Sequence, residues 1–161
     1  MSSTTLAPRR PVAWLSLLPF LGAVAAVAVV GGLAAGSAGR TYRALELPAF
    51  APPSWLFGPV WTVLYVMIAV AGWLVWREVR WGRDLTLWSV QLVLNLAWTP
   101  LFFAADLYAL ALVDITLLLV AVGATIGLFR RTSPPAAWLL VPYLAWVAFA
   151  TALNAAIVVL N

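Results

Sequence analysis

Charge is confined to a few short stretches of this 161-residue chain. Residues 11–39, 47–76, 85–105 and 132–161 hold no charged side chain, and 107–129 holds one, Asp114. A helix that crosses a bilayer needs about 20 consecutive, mainly apolar residues, and each of these intervals supplies them. In hydrocarbon every backbone N–H and C=O must be satisfied internally, so only helices and closed barrels can span. Continuous apolar runs select helices. The chain therefore reads as an all-α integral membrane protein, a single domain over 1–161 built as a five-helix transmembrane bundle. The spans lie near 13–36, 54–77, 85–105, 107–129 and 136–160. Composition agrees, because 65 % apolar and 9 % charged residues leave too little polar surface to face water; a soluble domain carries roughly 25 % charged residues. The first apolar run follows Arg9 and Arg10. It far exceeds the roughly 7–15 apolar residues of a cleaved signal, so it is expected to be retained as the first span.

All nine cations are arginines, and they sort by side. Arg9 and Arg10 precede the first span, Arg77, Arg80 and Arg83 lie between the second and third, and Arg130 and Arg131 between the fourth and fifth. With five spans, these seven share one face; only Arg40 and Arg43 lie on the other. The positive-inside rule then places the N-terminus in the cytoplasm and loop 1, residues 37–53, outside. The expected location is a bacterial cytoplasmic membrane, with the lipid bilayer as the first partner. Because the arginines sit at helix ends, the net charge of +4 is a topology signal and gives no reason to expect nucleic acid. The chain has neither Cys nor His. That removes disulfides, haem ligation through either residue, iron–sulfur clusters and ordinary zinc sites. No metal and no resident cofactor are expected.

Loop 1 is long beside the other connections and rich in specific side chains, as expected of a lid. Pro19, Pro59, Pro100 and Pro142 are read as interrupting four spans, each freeing the carbonyl four residues earlier. Helical spacing then aligns aromatic and amide residues on three stripes: Trp61, Tyr65, Ile68 and Gly72 on the second span; Gln91, Asn95, Trp98 and Phe102 on the third; Tyr143, Trp146, Ala150 and Asn154 on the fifth. Lipid cannot hydrogen-bond the amides, so the stripes face inward. At about 1.5 Å per residue, Trp61, Trp98 and Asn154 lie roughly 10 Å below the loop 1 face, Asn95 about 15 Å and Trp146 about 20 Å. A tryptophan-lined pocket with a few amides, beneath a loop, suits a flat, largely apolar ligand. Tyr42, on the lid, is counted with it. Arg40 and Arg43 are the only cations on that side and are the candidates to hold a ligand's carboxylates.

Trp14, Trp55, Trp76, Trp81, Trp88 and Trp138 lie near span ends and read as an interfacial belt, with Trp73 a further candidate. Asp114, the only acid inside a span, is either functional or a structural group, protonated or bonded to Gln91, Asn95 or a freed carbonyl of the third span. Gly32/Gly36 and Gly123/Gly127 have the spacing of close helix contacts.

Residues 41–65 read TYRALELPAFAPPSWLFGPVWTVLY. This stretch resembles the signature of the translocator protein family, also called tryptophan-rich sensory or TspO/MBR proteins. LVWRE (74–78), LNLAW (94–98) with FF (102–103), ALVD (111–114) and PYLAWVAFATALN (142–154) are similar to later blocks of that family. Thr41, Leu47 and Phe50 stand where it usually has Trp, Lys and Trp. The terminal LNAAIVVLN departs from the sterol-recognition stretch of mammalian members. The resemblance implies a homodimer that binds porphyrins or other flat apolar molecules inside the bundle. Three functions follow: a membrane sensor or carrier of tetrapyrroles; a light- and oxygen-dependent protoporphyrin-degrading enzyme, with Trp61 and Trp146 as the catalytic pair; or a small proton-coupled exporter using Asp114.

Overall fold

The computed structural model describes residues 14–36 and 38–161. Its helices are α1 (Leu18–Ala34), α2 (Ala38–Ala44), α3 (Phe57–Val79), α4 (Arg83–Phe103), α5 (Tyr108–Thr132) and α6 (Pro134–Leu160). Short 3-10 turns, Trp14–Leu17 and Ser54–Leu56, lead into α1 and α3. Together these give five segments of 21 to 27 residues that are long and apolar enough to cross a membrane. Each lies within three residues of a span read from the sequence. Arg9, Arg10 and the first residue of the 13–36 span lie outside the described residues.

The helices close into a ring. α1 packs between α3 and α4, α3 meets α6, α6 meets α5, and α5 meets α4. The connections explain the order. Residues 80–82 alone join α3 to α4, and Ser133 alone joins α5 to α6. Pro134 starts α6 in its first turn, where a missing N–H costs nothing. Between α4 and α5, Asp106 adopts a left-handed conformation (φ 53°) and its carboxylate accepts the Tyr108 hydroxyl at 2.9 Å. Helix directions put Arg77, Arg80, Arg83, Arg130 and Arg131 at one end, the arginine end, and α2 with the 45–53 segment at the other.

Two expectations about prolines are corrected. Only Pro100 and Pro142 lie inside helices. Pro19 stands in the first turn of α1, and Pro59 in the first turn of α3. First-turn N–H groups have no intrahelical acceptor, so proline starts these helices instead of kinking them. The lid also proves partly helical: α2 has seven residues, too few to show an apolar period in the sequence.

The tryptophan belt is likewise smaller than its positions suggest. Trp14, Trp55, Trp81 and Trp138 are exposed, whereas Trp73 and Trp88 are buried. Trp88 donates its indole N–H to the Ile68 carbonyl at 3.0 Å and meets the Phe20 ring edge-on at 5.5 Å. Its indole fills the place a side chain on Gly72 would take: a Cβ there would stand 2.6 Å from Trp88 Cε2. This is why α3 carries glycine at 72. Alanine ordinarily stabilises a helix interior by up to about 1 kcal/mol over glycine. At this position the sign should reverse, because the hydrogen-bonded indole has no room to give. Gly72→Ala is expected to destabilise by about 2 kcal/mol, as overpacking does, seen as a lower thermal midpoint in detergent. A midpoint equal to or above the parent's would contradict this packing.

Among the described residues the small-residue pairs make no close helix contact. Ideal Cβ atoms on Gly32, Gly123 and Gly127 would meet nothing within 4 Å, and one on Gly36 meets only the Leu33 carbonyl. Gly31 is the glycine of α1 that approaches a neighbour, Thr99 of α4.

Candidate functional site

α1, α3 and α4 enclose one sector of the ring, and α2 covers it. Between them lies a cavity of about 480 Å³. Trp61 and Tyr65 of α3, Trp98 of α4 and Tyr42 of α2 line it, together with Gly31 and Gly32 of α1, Gly39, Trp55, Phe57, Thr99 and Phe103. The stripe residues of α3 and α4 are therefore brought together with the lid. The α1 wall was not read from the sequence: it consists of Ala28, Gly31, Gly32 and Ala35, whose signal is only the absence of side chain.

The remaining candidate residues stand behind this cavity. Trp146 and Ala150 of α6 border a void of about 20 Å³, shared with Asn95 and closed off by Phe57, Trp61 and Trp98. Phe102, Ala150 and Asn154 border a second void of the same size. Those three aromatic rings thus form a partition, open on the α1 side and nearly filled on the α6 side. Trp61 lines both spaces, whereas Trp146 lines only the inner one.

Gln91 and Tyr143 lie deeper still, in a polar relay that crosses the bundle. Tyr65 donates its hydroxyl to Asn95 Oδ1 at 3.0 Å. Asn95 Nδ2 donates to the Tyr143 hydroxyl oxygen at 3.1 Å, and that hydroxyl donates to Gln91 Oε1 at 2.9 Å. A second link binds α4 to α6: Trp98 Nε1 donates to Asn154 Oδ1 at 3.1 Å, and Asn154 Nδ2 donates to the Tyr108 carbonyl at 3.0 Å. The equal depth of Trp98 and Asn154 expected from helical rise is visible in that bond. The inward-facing amides thus serve helix packing first. Among the described residues three buried polar atoms have no partner: Gln91 Nε2, Asp114 Oδ2 and Trp146 Nε1. Asp114 bonds to neither Gln91 nor Asn95, whose side-chain hydrogen bonds run to tyrosines, and it does not line the cavity.

Three sets of contacts among the described residues fasten the lid. Buried Tyr42 donates its hydroxyl to the Pro52 carbonyl at 2.9 Å and meets Phe57 edge-on at 5.5 Å. Burial pushes its pKa above the ordinary tyrosine value, so it remains a donor. Farther along, the Asn161 side chain grips the backbone of Glu46. Its Oδ1 accepts the Glu46 N–H and its Nδ2 donates to the Glu46 carbonyl, both at 3.1 Å. Phe50 rests edge-on against Phe149 of α6 at 6.2 Å.

The two lid arginines are not equivalent. Ala38, Gly39 and Tyr42 turn toward the cavity. Arg43 folds back over the rim, its Nη1 only 3.6 Å from where a Cβ on Gly39 would be. At about 100° per residue, Arg40 points away from the cavity face of α2. Both are exposed.

A model of the TspO/MBR family matches residues 10–160. The chain belongs to the TspO/MBR family. Among curated TspO/MBR relatives, the tryptophan-rich protein TspO of Chlorobaculum tepidum is 42 % identical over 142 residues, covering 80 % of this chain and 90 % of the relative. Human translocator protein is 40 % identical over 152 residues, covering 91 % and 88 %. The tryptophan-rich sensory protein of Cereibacter sphaeroides is 36 % identical over 141 residues, covering 88 % of each chain. Such coverage identifies this chain as a multi-pass membrane protein of the same translocator and sensory group, in agreement with its five apolar helices.

Proposed function

We propose that the protein is a membrane sensor or carrier that binds a tetrapyrrole, or a similarly flat apolar molecule, in the cavity between α1, α3 and α4. The observation that carries this reading is the cavity itself. About 480 Å³ falls in the range of small-molecule sites, roughly 300–1,000 Å³, and its walls offer aromatic faces and an all-small-residue side against which a ring can lie flat. The propionates of a porphyrin would reach the rim near Arg43.

The donor set argues for recognition of the ring over a central metal. Among the described residues no cluster of His, Cys, Asp or Glu could hold a metal. The Tyr42 and Tyr65 hydroxyls, which border the cavity, are already engaged with Pro52 and Asn95. Met67 is outside the lining. Titration of the detergent-solubilised protein, followed by tryptophan quenching, should show free-base protoporphyrin binding at least as tightly as haem. A much tighter haem complex, with a Soret band of strong axial ligation, would overturn this reading.

The same sample separates binding from degradation. Under light and oxygen a binder returns the porphyrin intact, while the degrading reading, with Trp61 and Trp146 as the redox-capable pair, requires a new absorbing product. Trp146 stands behind the Trp61 partition, so a ligand in the outer cavity touches Trp61 alone. This favours the binder.

For the carboxylates, Arg43→Gln should weaken protoporphyrin binding by roughly tenfold at low salt, the scale of one lost charge-assisted hydrogen bond, and salt should shrink the difference. Arg40→Gln should change it by less than about twofold, a small effect of an exposed charge. Equal losses in the two variants would show that α2 turns differently when ligand is bound.

A further inference from the structure

A second concavity lies at the other end of the bundle, sharing with the cavity under the lid only the helix α4. It is a groove of about 680 Å³ between α4 and α5, opening outward at the arginine end. Arg83 of α4 and Arg131 of α5 stand at its mouth, and Leu87, Val90, Gly127 and Leu128 form its walls. α4 and α5 are antiparallel, so both arginines belong to the same end and both walls run from them toward the membrane interior. From Arg83 to Val90 the groove extends about 10 Å along the helix.

The arginines at this end differ in what they already touch. Arg77 lies over the Trp73 ring at 4.8 Å and Arg80 over the Trp76 ring at 4.3 Å. The side chains of Arg83 and Arg131, like that of Arg130, make neither hydrogen bond nor ion pair among the described residues. Asp84 makes no ion pair with either arginine among the described residues; its Oδ2 accepts the Thr132 hydroxyl at 2.6 Å. Two uncommitted guanidiniums thus cap an apolar trough, at the level where a helix leaves the hydrocarbon.

We propose that this groove binds an anionic phospholipid. Its phosphate pairs with Arg83 and Arg131, and one acyl chain lies along Val90 and Gly127. Guanidinium is the side chain best suited to phosphate, through paired N–H bonds, and cations beside a span draw anionic lipid. A zwitterionic lipid offers the same phosphate but brings its own ammonium to the two arginines, so the site should discriminate by net charge. A second copy of the chain fits less well. In a two-fold dimer whose axis follows the membrane normal, both copies present the same patch, and four guanidiniums would meet at one membrane face.

The test is native mass spectrometry of the full chain in detergent with equal amounts of phosphatidylglycerol and phosphatidylcholine of the same chain length. The parent should retain phosphatidylglycerol with a preference of roughly tenfold or more. Arg83→Gln/Arg131→Gln should bring that preference to within about twofold, whereas Arg77→Gln/Arg130→Gln, with the same loss of charge, should keep it. Gly127→Leu places its side chain in open space, since a Cβ at 127 meets nothing within 4 Å. It should therefore fold normally, fill the trough and reduce retention with both arginines intact. Equal retention of the two lipids by the parent would overturn the proposal, as would a preference untouched by the arginine pair. Retention unaffected by Gly127→Leu, or abolished by inorganic phosphate alone, would reduce the site to a plain anion patch and overturn the acyl contact. A lipid-free dimer that Gly127→Leu dissociates would assign the groove to a second copy instead.

Discussion

Gly32→Trp should weaken protoporphyrin binding by about a hundredfold or more, close to 2.7 kcal/mol, while leaving the protein folded. Gly32 lies on the cavity wall contributed by α1, and a Cβ there meets nothing within 4 Å. An indole at this position has no core to disturb, and it stands at the wall of the 480 Å³ space that the ligand needs. Gly123→Trp is the matching control: it too enters open space, but lines neither the outer cavity nor the inner void. It should bind porphyrin as the parent does. Tryptophan quenching reads affinity, and a thermal midpoint confirms folding. If Gly32→Trp binds normally, the ligand site lies behind the Phe57, Trp61 and Trp98 partition, where Trp146 and Ala150 stand. The two spaces can be told apart because the substituted residue touches only one of them.

What the sequence disclosed follows from how strongly each feature is imposed. The spans were legible because hydrocarbon tolerates neither charge nor unsatisfied backbone; their ends fell within three residues because arginine, proline and Asp106 mark them. The inward stripes were legible for the same reason, since Gln91, Asn95 and Asn154 cannot face lipid. The partners of those amides were not. Helical spacing fixes a face but not which neighbour it meets, so Asp114 looked as eligible for Gln91 and Asn95 as Tyr65 and Tyr143 did. Burial of Trp73 and Trp88 was hidden by their positions near helix ends, where a belt and a core are equally served by tryptophan. Gly72 was the available clue: a glycine on a stripe of large residues marks the place where something large arrives. The α1 wall was hidden most completely. A cavity is made by what is missing, and Ala28, Gly31, Gly32 and Ala35 look like any small residues of an apolar helix.

The polar relay gives the chain's stability an unusual dependence on one hydroxyl, and Tyr143→Phe is expected to cost about 2–4 kcal/mol. Tyr143 is fully buried, and its hydroxyl both donates to Gln91 Oε1 and accepts from Asn95 Nδ2. Removing that one oxygen leaves Gln91 Oε1 and Asn95 Nδ2 without a partner, in addition to Gln91 Nε2, which has none already among the described residues. Each buried group left unpaired costs roughly 1–3 kcal/mol, and neither can turn to water inside a bundle surrounded by lipid. The loss should appear as a lower thermal midpoint in detergent, with the ring of helices otherwise intact. Replacing the amides as well separates this account from simple loss of packing. In Gln91→Leu/Asn95→Leu/Tyr143→Phe no buried acceptor or donor of the relay remains except the Tyr65 hydroxyl, which borders the outer cavity. Replacing both partners of a buried hydrogen bond by apolar groups of similar shape can be nearly neutral. The triple variant should therefore recover most of the stability that Tyr143→Phe alone loses. A triple variant less stable than the single one would show that the relay stabilises the bundle by its bonds, beyond avoiding unpaired groups. A Tyr143→Phe midpoint equal to the parent's would show that the hydroxyl is dispensable and the relay a by-product of packing.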